Sequence, residues 1–107
     1  MRGAMPAEPD NSYVIRFTAL GAQVLPDEAA DLLREALDAT PGTGPVHGAT
    51  HDPGARTVSG EFLLNVHLGI ADAARDGSRL AREALKNAGF GDAQLVELYI
   101  ALRVETA

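Results

Sequence analysis

The chain has 107 residues, 46% of them hydrophobic and 22% charged, which is enough for one domain with a real core and too little for two. It has no cysteine, so disulfides, thiolate metal sites and cysteine nucleophiles are excluded. Fifteen acidic residues against nine basic ones leave a net charge of −6, which argues against nucleic acid, bound largely through Lys and Arg on phosphate, and against an anionic membrane surface.

Residues 1–12 hold Pro6, Pro9 and two acids but no apolar run of signal-peptide or membrane-span length. They are expected to form a flexible tail ahead of a single domain over residues 13–107, with a cytoplasmic location. Eight of the nine basic residues are Arg, and with the richness in Ala and Gly this points to a GC-rich bacterial genome.

Tyr13 to Leu20 is rich in β-branched and aromatic residues and predicts the first strand. After a loop, Pro26-Asp27-Glu28 predicts a helix start, with proline at the first helical position and acids beside the positive end of the dipole. Leu25, Ala29, Leu32, Leu33, Ala36 and Leu37 then form an apolar stripe that stops at Thr40-Pro41-Gly42. Val46 to His51 is a short second strand bracketed by Gly and Pro, which suits a sheet edge. Asp52-Pro53-Gly54-Ala55 predicts a turn closing a hairpin, with glycine available for positive φ.

Arg56 to Leu68 alternates, with Val58, Phe62, Leu64, Val66 and Leu68 on the core side. A second helix is expected from about Asp72, as its cap, to Ala88, burying Ala73, Leu80, Ala81, Ala84, Leu85 and Ala88 and closed by Gly89 with Phe90 as hydrophobic companion. Gln94 to Glu105 is the last strand, with Val96, Leu98, Ile100, Leu102 and Val104 expected to face the core.

Two segments recur 48 residues apart: Leu20-Gly21 as Leu68-Gly69, and Arg34-Glu35-Ala36-Leu37 as Arg82-Glu83-Ala84-Leu85. A fixed-period match of this kind reports a recurring supersecondary unit. The order strand, helix, strand, strand, helix, strand predicts an α+β fold: a ferredoxin-like βαββαβ two-layer sandwich, with a four-stranded antiparallel sheet and both helices on one face. One conflict stands out. The shift places Arg16 on Leu64, although Ile15, Phe17 and Ala19 make the better core set in the first strand.

In such a sandwich the uncovered sheet face carries function. It is expected to display Val14, Arg16 and Thr18; His47, Ala49 and His51; Thr57, Ser59, Glu61, Leu63, Asn65 and His67; and Leu95, Glu97, Tyr99, Ala101, Arg103 and Glu105. Val14, Leu63, Leu95, Tyr99 and Ala101 are apolar for a face washed by water, and with the first and last strands adjacent, Val14, Tyr99 and Ala101 form one patch. The binding-surface candidates are therefore Val14, Arg16, Leu63, Asn65, His67, Tyr99 and Ala101, with a second copy of the chain or another protein as partner.

The leading expectation is a non-catalytic interaction or regulatory module acting as a homodimer through this face. The alternative is a small cofactor-independent enzyme with His67 as general base and Glu61, Asn65, Arg16 or Tyr99 orienting a substrate between the sheet face and the dimer partner. His47 and His51 lie about 13 Å apart along a strand, too far to share one ion, so no metal is expected, and no motif implies a cofactor. The third strand lacks the exposed aromatics that stack bases in RNA-recognition domains of the same topology. The layout is similar to that of small-molecule-sensing ACT domains, with Gly21 and Pro26 in the first strand-to-helix loop, but without the Asp and Pro-Gly pattern of that loop. Room remains for a small-molecule ligand that the sequence does not identify.

Overall fold

The computed structural model describes residues 11–67 and 69–103. Six elements follow in the order β1 (Asn11–Leu20), α1 (Ala29–Ala39), β2 (Val46–Asp52), β3 (Thr57–Val66), α2 (Ile70–Asn87) and β4 (Gln94–Leu102). The strands form one antiparallel sheet in the order β2-β3-β1-β4, so β1 and β3 are central and β2 and β4 are edges. Both helices pack on the same side of it and share one core with β1 and β3. No described helix is long and apolar enough to cross a membrane.

Several boundaries move from those expected. The expected tail lies outside the described residues up to residue 10, but Asn11 and Ser12 already pair with β3, so β1 starts two residues before Tyr13. Residues 26–28 form a lead-in turn, with the Ala29 amide on the Pro26 carbonyl, and α1 starts at Ala29 rather than at the proline. Its far end closes as expected: Thr40 Oγ1 donates to the Ala36 carbonyl at 2.6 Å and Thr43 Oγ1 to that of Leu37 at 2.9 Å. The β2–β3 hairpin turns where predicted, yet the positive φ falls on Arg56 (55°), not on Gly54. Helix α2 starts after Gly69, two residues before Asp72, which sits in the first turn and pairs with Arg75 at 2.9 Å. Gly89 (φ 95°) ends it, and the Phe90 amide bonds back to the Leu85 carbonyl at 2.7 Å, the glycine cap the sequence predicts. Leu68, Val104 and Glu105, expected in strands, lie outside the described residues.

The core side of β1 takes Tyr13, Ile15, Phe17 and Ala19, and that of β3 takes Val58, Gly60, Phe62, Leu64 and Val66. Phe17 and Phe62 meet edge to face with centroids 6.4 Å apart, a favoured aromatic geometry. Odd residues therefore face the core in β1 and even ones in β3, so an even shift of 48 exchanges the faces. The conflict at Arg16 is real: Arg16 is exposed and Leu64 is buried. In the helices the same shift holds throughout. The buried residues of α1, Ala29, Leu33, Ala36 and Leu37, map onto Gly77, Ala81, Ala84 and Leu85, all buried in α2.

Each edge strand carries an irregularity that the alternation does not reveal. In β4 the register jumps from Thr18–Glu97 to Ala19–Leu95, leaving Val96 as an extra residue. Leu95 thus packs against the core and Val96 is 51% exposed, the reverse of the expected facing. In β2 the shift lies between Val46 and Gly48, where Gly48 adopts φ 152°. Beyond it Ala49 packs against the core and His51 pairs with buried Val58, so both leave the open face to which the sequence assigned them.

Candidate functional site

The open face of the sheet is built in rows that cross all four strands. Beyond the Asp52, Thr57, Leu20 and Gln94 positions that end the sheet at the hairpin, the first row holds Thr50, Ser59, Thr18 and Glu97 side by side. Thr18 Oγ1 lies 2.9 Å from Ser59 Oγ and donates to Glu97 Oε1 at 3.1 Å. This polar row was missed as a unit, because neither its register nor its hydroxyl bonds follow from a single strand's pattern.

The next row holds Gly48, Glu61, Arg16 and Tyr99. Arg16 is flanked by a carboxylate and a ring, and it is the ring that its guanidinium covers, 4.5 Å from the Tyr99 centroid. Glu61 turns the other way and meets His47 Nδ1 at 2.9 Å. With both side chains partly exposed, that pair contributes little to stability. Its value is positional, since it fixes an imidazole against a carboxylate. Arg16, His47, Gly48, Ala49, Thr50, Ser59, Gly60 and Glu61 together line a shallow, open depression of about 460 Å³.

The third row, Leu63–Val14–Ala101, is apolar. Leu63 is only 7% exposed although it stands apart from the core beneath the helices, and the Gly44–Pro45 segment bonds to its backbone on the outer side. Val14 and Ala101 are half-buried. In the fourth row Asn65 accepts a hydrogen bond from Ser12 Oγ at 2.6 Å.

Of the candidates taken from sequence, Val14, Arg16, Tyr99 and Ala101 therefore form one continuous area, with Glu61 beside Arg16; Leu63 lies beside Val14 but is buried and offers almost no surface, and Asn65 is one row beyond it. His67 follows the end of β3, six residues or about 20 Å along the chain from Glu61. The histidine brought to Glu61 is His47. Finding it needed the Gly48 bulge, which sets the β2–β3 register at that point. No three His, Asp or Glu side chains converge among the described residues.

A second depression, about 390 Å³, lies between the loop after β1, at Ala22 to Pro26, and the end of α2, at Ala88 to Phe90. Val24 at its rim is exposed. Compared with protein-family models and with curated proteins, the chain matches none of them.

Proposed function

We propose that the chain is a ferredoxin-like βαββαβ sandwich serving as a non-catalytic interaction or regulatory module that docks a second copy of itself on its open sheet face. The strand order β2-β3-β1-β4 and the shared core beneath two helices support the fold. The Arg16–Tyr99 stack carries the functional reading. Tyr and Arg are the residues most enriched at binding hot spots, and stacking orders both before any partner arrives, so less rotamer entropy is lost on docking. The stack adjoins the apolar row of Leu63, Val14 and Ala101, and polar rows flank both sides, which is the layout of an anchor with a wet rim. A bacterial, cytoplasmic setting belongs to the same proposal and rests on composition alone.

Light scattering on a size-exclusion column tests it. The particle mass should be at least twice the 11.2 kDa of one chain. Arg16→Glu, at an exposed position of a central strand, removes the stack and should halve that mass with an unchanged circular dichroism spectrum. A wild-type mass of one chain, or a mass indifferent to Arg16→Glu, refutes docking through the face.

The enzymatic alternative finds support at His47 and Glu61 rather than at His67. A histidine held by a carboxylate beside a depression is the arrangement of a general base with its orienting group. In that reading His47→Ala abolishes a turnover that His67→Ala leaves intact, and neither changes the particle mass.

A further inference from the structure

The two sheet edges are not equivalent. β2 begins after Pro45, bulges at Gly48 and ends at Asp52-Pro53, and bulges and prolines at an edge are devices that prevent strand addition. β4 has none of them between Glu97 and Arg103, because its own irregularity falls earlier, at Leu95 and Val96. That stretch is Glu-Leu-Tyr-Ile-Ala-Leu-Arg, apolar between one acid and one base. Leu102 is 50% exposed on it.

The direction of its backbone groups follows from one bond. The Arg103 amide donates inward to the Ser12 carbonyl at 2.8 Å. In an antiparallel strand alternate residues bond to alternate sides, so Ala101, Tyr99 and Glu97 also bond inward to β1. Leu98, Ile100 and Leu102 consequently turn their N–H and C=O groups outward, away from the sheet.

We propose that β4 is a strand-pairing edge at which two copies of the chain join antiparallel, Ile100 against Ile100 of the second copy, into one continuous sheet. In this register the outward-bonding residues meet one another: Leu98 pairs with Leu102 of the second copy, and Ile100 with its own equivalent. Glu97 then lies opposite Arg103 of the second copy, twice by symmetry, on the open-face side. Leu102 meets Leu98 of the second copy on the helix side. Sliding by two residues keeps the outward backbone bonds but sets Glu97 against Ala101, or Arg103 against Tyr99. Charge complementarity therefore selects the register and makes the edge self-complementary about a two-fold axis.

This contact is independent of docking through the face. Edge pairing turns about an axis normal to the sheet and face pairing about an axis in its plane, so the two together close a tetramer where the axes intersect and extend into an open chain where they do not. Sedimentation velocity on five proteins tests it: wild type, Arg16→Glu, Leu102→Pro, Glu97→Arg, and Glu97→Arg combined with Arg103→Glu. Proline at 102 removes an outward N–H and no bond to β1, so the fold should survive.

Leu102→Pro and Glu97→Arg should each halve the mass or raise the dissociation constant by about tenfold or more, and the double reversal should restore it. Circular dichroism establishes that each variant is folded. Edge variants that associate like wild type, or a double reversal no better than the single one, overturn the edge proposal. Loss of mass confined to Arg16→Glu sustains face docking and overturns the edge, and loss confined to the edge variants does the opposite.

Discussion

Adding a single methyl group at Gly60 is the sharpest test of how the sheet supports its open face. Gly60 lies in the middle of β3 directly opposite Phe17, and its backbone lines the depression beside Glu61. A Cβ there would point into the core, 2.8 Å from both Leu37 Cδ1 and Phe17 Cζ and 2.9 Å from Phe17 Cε1. Carbon atoms pack at about 3.5–4.0 Å, so the neighbours must retreat by roughly 0.7 Å or more. Phe17 and Leu37 are fully buried, and Phe17 is held edge to face against Phe62. Overpacking of this kind costs about 1–3 kcal/mol, and Ala recovers about 0.5–1 kcal/mol of glycine's entropic penalty within a strand. Gly60→Ala should therefore lose about 1–2 kcal/mol net. In urea, with a slope of about 1.5 kcal/mol per molar, the unfolding midpoint falls by about 1 M. Combining it with Phe17→Leu should give less than the sum of the two single losses, because the smaller side chain yields the space, with a coupling of about 1 kcal/mol. A Gly60→Ala midpoint at or above wild type, or strict additivity in the double variant, would refute the close approach of Phe17 to the β3 backbone.

The docking variant Arg16→Glu and the edge charge reversals carry their own mass measurements. His51→Leu should stabilise the chain, because His51 Nε2 is a buried side-chain polar atom without a hydrogen-bond partner among the described residues and leucine removes it at similar volume. A gain of about 1 kcal/mol raises the melting temperature by about 4 °C in calorimetry, and a fall would show that the ring has a partner in solution. Gly48→Ala should cost about 1–2 kcal/mol through backbone strain alone, since φ is 152° and nothing lies within 4 Å of the added carbon. Gly48→Gln, unbranched at Cβ, should then cost about the same, and a much larger loss for glutamine in urea unfolding would mean that space, not φ, limits the position.

The sequence was most legible where one phase of a pattern was plainly more apolar than the other. Ile15, Phe17 and Ala19 against Arg16 and Thr18 leave no choice of facing in β1, and Val58, Phe62, Leu64 and Val66 leave none in β3. The helices were legible for the same reason, down to matching buried positions 48 residues apart. β4 offered no such contrast. Leu95, Val96 and Leu98 are apolar in both phases, and strict alternation chose Val96 for the core where the strand buries Leu95. In β2 the error began at Gly48, a residue whose backbone freedom shows in sequence but whose bulge depends on pairing with Glu61. The candidate site inherited this division. Arg16 and Tyr99 were assigned to one face from their own strands, but their adjacency, and the meeting of His47 with Glu61, are properties of register.

An antiparallel strand is read in a frame of two, and each bulge in this sheet is a single-letter insertion in that frame. Ahead of Val96, β4 presents the residues that an unbroken frame would have hidden, and beyond Gly48, β2 does the same. Because both insertions sit in edge strands, the frames of β1 and β3, which hold the core, are untouched by them. Gain or loss of one residue at either place would exchange what that edge shows and what it buries, and leave the fold standing. The fold thus has two positions where length, rather than residue identity, edits the surface.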